Sequence, residues 1–261
     1  MIRAMWTSAT GMNAQELMVN TIANNLANTN TTSFKKGRVD FEDLFYATYN
    51  QPGSPTATGG TVPVGIQVGM GVQPVAIQKI FTQGDYLQTN NNLDMAIQGN
   101  GFFHLLDSNG NDVYTRDGSF KMDAEGYIVN SRGERLQPDF KVPQQTANIT
   151  ISQAGQINCL SNSGTVLATG NIPTYIFPNA AGLKSIGMNE YVATPASGDA
   201  IEGTPGKDNF GTISQGNLEM SNVDAVAEMV NMIAAQRAYE LNSKCITASD
   251  SMLQTAANIV R

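Results

Sequence analysis

The sequence predicts an α+β fold with a helix at each end of the chain and a β domain between them. Apolar residues recur every three or four positions over 2–26 and again over 223–259, which is the spacing of an amphipathic helix. Between them, at about 85–205, Gly-containing turn pairs separate short runs of β-branched and aromatic residues, as in hairpins. A stretch rich in Gly and Pro at 50–74 lies between the first helix and the β region.

The first helix is predicted from an apolar seam that ends in a polar turn. Gly11 weakens this helix by about 1 kcal/mol relative to Ala. The run of Asn, Thr and Ser at 28–33 ends it, because these side chains favour turns. The seam consists of Ile2, Met5, Ala9, Met12, Val19, Ala23 and Leu26.

The last helix is predicted over 222–261, where neither Gly nor Pro occurs. Ser221 or Asn222 is the expected N-cap, and Asp224 favours the positive end of the helix. At 1.5 Å per residue such a helix is about 58 Å long, so it needs a partner along its length. Its seam consists of Val223, Ala227, Val230, Ala234, Ala238, Leu241, Cys245, Ala248, Met252, Thr255 and Ile259.

The predicted domain organisation is discontinuous. Residues 1–45 and 206–261 form one domain of paired terminal helices, similar to a coiled coil. Residues 46–84 form an extended arm, and 85–205 form an inserted all-β domain. Four strands are predicted within the β domain, at 102–106, 127–129, 149–151 and 174–177. The pattern leaves open a second arrangement, in which both helices fold back over the β domain.

Composition and charge exclude several function classes. Charged residues make up 14%, well below the roughly 25% of an average soluble protein. The net charge of −7 argues against nucleic acid as a partner.

Cys159 and Cys245 lack metal or redox spacing, and Cys245 is expected to be a buried thiol. No window is long and apolar enough for a membrane span. Residues 1–27 lack a continuous apolar core, so we expect export without a cleaved signal peptide.

An enzyme is disfavoured, and no catalytic residue, cofactor or metal site is predicted. His104 is the one histidine, which excludes the common triads and His-rich metal sites. The segments 107–112 and 203–208 are read as turns rather than as calcium or phosphate loops. Asp117, Asp123 and Glu125 are typical acidic turn residues. A secreted cell-wall hydrolase or binding module is the weak alternative from another class.

Short motifs along the chain resemble those of the bacterial flagellar rod and hook axial protein family. The segment 23–35 resembles the family's N-terminal signature, and 93–103 and 114–120 resemble its central β motifs. The segments 215–224 and 232–240 resemble the entry to the C-terminal helix and the helix itself. One departure is Ser33, where the family usually has Gly. If that position requires φ > 0, Ser is a poor substitute.

The resemblance implies a structural subunit that polymerises into a hollow, stiff helical drive shaft and export channel. The chain length and the arm are most similar to distal rod subunits, with a proximal rod subunit as the alternative. The implied partners are many copies of the same chain, proximal rod proteins on one side, hook protein on the other, and the surrounding rings of the basal body. The implied location is the periplasmic rod of the flagellar basal body.

We expect the subunit contacts to lie on the two terminal helices. The Asn side chains at 24, 25 and 28 are expected to fix the turn and the register between subunits, with plain helix capping as the alternative. Arg237 and Glu240 are expected to pair between neighbouring chains, and the arm to brace adjacent subunits. The candidate interface residues are Met5, Met12, Val19, Asn24, Asn25, Leu26, Asn28, Val230, Ala234, Arg237, Glu240, Leu241, Cys245, Met252 and Ile259.

Overall fold

The computed structural model describes residues 2–53 and 63–259, and for Ile259 the backbone alone. The prediction of an α+β fold is confirmed. The described residues form two compact units: a helical unit within 1–27, 37–79 and 224–261, and a β unit of 28–36 and 80–223. Residues 54–62 of the predicted arm lie outside the described part. The predicted domain bounds remain a prediction; in the structure, 206–223 lie in the β unit.

The helical unit contains two helices and four strands. Its elements are α1 (Ile2–Ala27), β1 (Gly37–Asp43), β2 (Tyr46–Asn50), β3 (Ile66–Gly69), β4 (Val72–Lys79) and α2 (Ala225–Ile259).

The carboxylate of Asp224 caps the start of helix α2, instead of the expected Ser221 or Asn222. The backbone N–H groups of Val226 and Ala227 donate to Asp224 Oδ1 at 2.9 and 3.2 Å. Asp224 is therefore the N-cap, because its side chain satisfies donors that have no partner within the helix. The prediction of Ser221 or Asn222 as the N-cap is wrong.

Helices α1 and α2 pack antiparallel. Asn25, near the end of α1, bonds Glu228, near the start of α2, at 3.3 Å. Gly11, in the first half of α1, lies against Asn242: a Cβ at Gly11 would stand 2.9 Å from the Asn242 amide nitrogen. The residue that weakens the isolated helix thus allows the two helices to approach closely.

The remaining strands of the helical unit form two antiparallel pairs. Strand β1 pairs with β4, and β2 pairs with β3. Tyr49, Ile66, Val68 and Ile77 are exposed on these pairs. A two-stranded pair is marginally stable alone, and the β1–β4 pair is supported by packing against α1.

The strands of the β unit are β5 (Tyr86–Gln88), β6 (Met95–Gln98), β7 (Phe103–Leu106), β8 (Asp112–Thr115), β9 (Lys121–Met122), β10 (Ile128–Val129), β11 (Arg135–Leu136), β12 (Thr146–Ile151), β13 (Gln156–Ser161), β14 (Val166–Asn171), β15 (Thr174–Ile176), β16 (Lys184–Gly187), β17 (Glu190–Val192), β18 (Ile201–Gly203), β19 (Thr212–Gln215) and β20 (Asn217–Glu219). The predicted strands correspond to β7, β10, β12 and β15.

A seven-stranded antiparallel sheet is the largest sheet of the unit, in the order β16-β17-β8-β7-β11-β10-β9. Beside it are a three-stranded sheet, β12-β13-β14, and three two-stranded pairs, β19-β6, β20-β5 and β15-β18.

The core of the β unit is aromatic and aliphatic. Phe103 and Phe120 are fully buried and meet edge to face, with ring centroids 5.3 Å apart. Cys159 lies in the same core. Gly118 faces the carbonyl oxygen of Met95 so closely that a Cβ would stand 1.6 Å from it, so no other residue fits here.

Two buried carboxyl groups connect distant strands of the large sheet. Arg132 Nη1 lies 3.1 Å from Glu190 Oε2 and 3.6 Å from Glu134 Oε1. The side-chain amide of Asn130 donates to both carboxyl groups. Burial, followed by a hydrogen bond to Glu134 and the charge of Glu134, raises the pKa of Glu190 to about 7. One arginine is thus shared by two carboxyl groups, and a proton on Glu190 is favoured.

Protonation of Glu190 makes the stability of the β unit depend on pH. Because the folded-state pKa is raised, this stability is fully present below about pH 4.5 and is lost as the pH rises through about 7. We expect the thermal midpoint of the β unit to fall by several degrees over this range, on the order of 2 kcal/mol. Thermal unfolding followed by circular dichroism measures it.

The matched variants are Glu190→Gln and, as the control, Glu125→Gln, which removes an exposed carboxyl from the same unit. The first should flatten the pH dependence and the second should leave it unchanged. Equal pH profiles for the wild type and Glu190→Gln would contradict the raised pKa of Glu190 in the folded protein.

Candidate functional site

Three charged side chains form a buried cluster in the β unit. Lys35, Arg116 and Glu219 have side chains no more than 3% exposed. Lys35 Nζ donates to Glu219 Oε1 at 2.6 Å, and Arg116 Nε donates to Glu219 Oε2 at 2.9 Å. Each carboxylate oxygen therefore has its own cationic partner, as a buried charge requires.

The remaining donors of the cluster are satisfied by backbone carbonyls. Lys35 Nζ also donates to the carbonyl oxygen of Thr82 at 2.7 Å. Arg116 donates to the carbonyl oxygens of Gly101 at 3.2 Å and Gly99 at 2.9 Å. The cluster thus fixes segments that are far apart in the chain.

Two cations surround one carboxylate, and the pKa values reflect this imbalance. Burial, followed by the positive charge of Arg116, lowers the pKa of Lys35 to about 8, although Glu219 opposes the shift. Burial alone would raise the pKa of Glu219, but Arg116 and Lys35 outweigh it and hold that pKa below its usual value. Glu219 therefore stays ionised, and its negative charge compensates the buried positive charges of Lys35 and Arg116.

Ser33 has the left-handed conformation that its position requires. Its φ is 56°, a region that favours Gly. Its hydroxyl donates to the carbonyl oxygen of Arg116 at 2.8 Å, and its backbone N–H donates to the carbonyl oxygen of Glu219 at 2.8 Å. The hydroxyl bond offsets part of the conformational cost, which explains how Ser is tolerated here.

Asn222 anchors the chain segment that follows strand β20. Its side chain accepts from the backbone N–H of Lys36 at 2.8 Å and donates to the carbonyl oxygen of Ile80 at 2.8 Å. The expected cap residue therefore connects three segments of the β unit instead of capping the helix.

In the helical unit, Asn25 fixes the turn within one chain. Its side chain donates to the carbonyl oxygen of Gly37 and accepts from the N–H of Gly37, both at 2.9 Å. Asn28 accepts from the hydroxyl of Thr31, and Asn24 is exposed. The structure thus assigns Asn25 a role inside the chain, and a role in register between subunits stays a prediction.

Three matches with known families cover both ends and the middle of the chain. Residues 5–35 match the family described as flagella basal body rod protein, and 96–159 match the flagellar hook protein FlgE/F/G D1 domain. Residues 214–259 match the C-terminal part of the flagellar basal body rod FlgEFG proteins.

Relatives align along the full length. The chain is 47% identical to flagellar basal-body rod protein FlgG of Borreliella burgdorferi, with 100% of both chains covered. It is 42% identical to FlgG of Caulobacter vibrioides, with 99% of each chain covered, and 35% identical to FlgG of Bacillus subtilis, with 100% of both covered. The chain belongs to the flagellar rod and hook family.

The buried cluster joins the segments by which this family is recognised. Lys35 lies in the matched segment 5–35, Arg116 in 96–159 and Glu219 in 214–259. Each of the three charged residues lies in a motif that carries the family resemblance, but a local motif does not show which side chains meet in the fold. The available signal was the presence of charged residues in these motifs of a chain with only 14% charged residues.

The predicted interface residues of α1 and α2 differ in exposure. Asn25 is buried, whereas Met5, Met12, Val19 and Leu26 are half-buried. The described candidates on α2 are exposed. Cys245 is one of them, so the prediction that it is a buried thiol is wrong. Arg237 Nη1 pairs with Glu240 Oε2 at 2.9 Å within the same helix, so pairing between chains stays a prediction. The side chain of Ile259 lies outside the described residues. The exposed candidates are Val230, Ala234, Arg237, Glu240, Leu241, Cys245 and Met252.

The residues considered for catalysis have structural surroundings, as expected in a family of structural proteins. His104 Nε2 lies 2.9 Å from Asp112, and its ring stacks on Tyr114. The segment 107–112 is the hairpin turn between β7 and β8. In the part of the chain that the structure describes, no group of three or more His, Cys, Asp or Glu could hold a metal ion. No helix there could cross a membrane.

Removal of the shared carboxylate should destabilise the β unit strongly. Glu219→Gln leaves Lys35 and Arg116 buried without a counter-charge, which costs about 3–5 kcal/mol. Urea unfolding measures the loss. Glu202→Gln, at an exposed position of the same unit, is the control. The double variant Lys35→Met with Glu219→Gln should lose less than the sum of the two single variants. Additive losses would show that the two side chains do not interact.

Substitutions at Ser33 separate backbone strain from hydrogen bonding. Ser33→Ala keeps the left-handed strain and loses the hydroxyl bond, so it should cost about 1–2 kcal/mol. Ser33→Gly loses the same bond but relieves the strain, so it should stay within about 1 kcal/mol of the wild type. Urea unfolding of the three proteins gives the order. An alanine variant as stable as the wild type would contradict this account.

Proposed function

We propose that the chain is a structural subunit of the flagellar basal-body distal rod, which polymerises into a hollow, stiff helical shaft. The shaft transmits torque and forms the channel through which later flagellar proteins are exported. Proximal rod proteins adjoin it on one side and hook protein on the other, with the rings of the basal body around it. The shaft lies in the periplasm. The family membership and the names of full-length relatives support this proposal.

The observation that carries the proposal is an apolar stripe on α2 that the chain does not bury. Six apolar side chains on α2, 50–70% exposed, define this outer stripe: Val226, Met229, Val230, Ile233, Leu241 and Met252. At about 100° per residue, they lie on the side of the helix opposite the buried residues Glu228 and Ala235. Exposed apolar patches of this kind mark protein interaction sites.

The interior of the helix pair is mixed in character. Ser8, Ala14, Ile22 and Asn25 are buried on α1, and Glu228, Ala235 and Ser249 are buried on α2. Met232, Ile246 and Leu253, on the same side of α2 as Ala235, are half-buried. The pair thus buries part of its apolar surface, and other copies that cover the outer stripe would add further hydrophobic stabilisation.

Head-to-tail contacts through such a stripe are compatible with a shaft. A contact between two different patches of the same chain does not close on itself, so it generates an open helical polymer. The exposed side chains Tyr49, Ile66 and Val68 of the β2–β3 pair are available to brace adjacent subunits, as expected for the arm.

Charges placed on the outer stripe should block assembly without unfolding the chain. Val230→Asp with Leu241→Asp puts carboxylates where neighbouring subunits must exclude water, which is costly. In a bacterium lacking its own distal rod subunit, basal bodies with complete rods, counted by electron microscopy, should fall at least about 100-fold. Asn231→Asp, at an exposed polar position outside the stripe, is the matched control and should support normal rods. Normal rods from the double variant would overturn the proposed contact.

A further inference from the structure

The seven-stranded sheet of the β unit ends in two edges of different chemical character. Strand β16 forms one edge and β9 the other. Beside β16, a groove of about 600 Å³ is lined by Asp107, Asp112 and Asp199, by Ile186 of the strand itself, and by the aliphatic side chains of Val113 and Val192. We name it the acidic groove.

One apolar side chain of the acidic groove, Ile186, is 49% exposed. Asp112 also lies 2.9 Å from His104 Nε2, and the Asp107 carboxylate accepts from Ser108 and Asn109. The groove therefore combines three carboxylates with an exposed apolar side chain, which suits a partner that presents cations beside an apolar side chain.

The opposite edge presents such a surface. Lys121 and Met122 form β9, and Met122 is 54% exposed. Arg135 and Lys141 lie over the ring of Tyr127, 4.2 and 5.7 Å from its centroid, which holds both cations in place. We name this surface the basic edge. The acidic residues in this region are Asp123 and Glu125, and Glu125 lies 3.4 Å from Arg135.

Strand β16 is protected against main-chain pairing with a further strand. The register of β16 against β17 shifts between Ser185 and Gly187, and Lys184 stands at its start. Bulges and lysines on edge strands prevent the addition of a further strand. The side chains around the groove are left as the recognition surface.

We propose that the acidic groove of one subunit receives the basic edge of a second copy of this chain. Lys121, Arg135 and Lys141 of that copy lie among Asp107, Asp112 and Asp199, and its Met122 packs against Ile186. The charges favour the pairing of unlike edges and disfavour that of like edges. Because the contact joins two different patches, it propagates from subunit to subunit. This inference rests on the proposed polymer and adds a contact between β units.

Charge exchange tests the contact in a bacterium lacking its own distal rod subunit. Asp112→Lys with Asp199→Lys, and separately Lys121→Glu with Lys141→Glu, should each lower the number of rods per cell roughly tenfold. The variant with all four changes restores opposite charges across the contact and should recover most of the rods. Asp85→Lys with Lys207→Glu, at exposed positions outside both surfaces in the β unit, is the control. Circular dichroism melting of each purified variant verifies that the β unit remains folded.

Cysteine cross-linking tests the geometry independently of charge. In a Cys245→Ser background, Ile186→Cys with Met122→Cys, oxidised by diamide in isolated basal bodies, should yield a ladder of covalent multimers. Either cysteine alone should yield none.

The outcomes separate this inference from the proposed function. Normal rods without a ladder, together with charge variants that lack effect, would overturn the contact and leave the rod function intact. A cross-link to a different protein would overturn the second copy as the occupant. Failure of the wild-type chain to form rods would overturn both proposals.

Discussion

The outer stripe of α2 is the constraint on which the rest of the account depends. A chain that leaves Val226, Val230 and Leu241 exposed on α2 keeps a large apolar surface in contact with water. Isolated helices are marginally stable in water, and α1 and α2 cover only part of each other's apolar surface. In the proposed assembly, contacts with other copies add the stabilisation that comes from covering the outer stripe. The stability of this unit and polymerisation are then coupled.

The β unit is organised in the opposite way. Its core is aromatic and closed, and Phe103 and Phe120 are fully buried within it. The cluster of Lys35, Arg116 and Glu219 adds a specific requirement, because none of the three charges can be buried without the others. Segments 28–36 and 217–223 are thereby fixed in one arrangement, and both continue directly into elements of the helical unit. These two segments therefore have the same arrangement in every copy, which suits a subunit that is used repeatedly in a polymer.

Much of the fold could be predicted from the sequence because the patterns are local. Periodicity located both helices, and turn pairs such as Asn109-Gly110, between β7 and β8, marked the hairpins. The N-cap was missed because Asn222 and Asp224 are equally good caps by type, and only the tertiary bonds of Asn222 to Lys36 and Ile80 decide between them. Similarly, the burial of Glu219 depends on partners 103 and 184 residues away, which no local pattern reveals. The face of α2 that meets α1 was also missed, because Glu228, Asn242 and Ser249 interrupt its apolar residues.

The most direct test of the central claim is amide hydrogen exchange of the chain as a dilute monomer and in assembled rods. The account predicts weak protection of α1 and α2 in the monomer and strong protection in the rod, because the outer stripe becomes covered only on assembly. The core strands β7 and β8 should be protected in both. Helices that are strongly protected in the dilute monomer and unchanged in the rod would contradict the claim that other copies complete the helical unit.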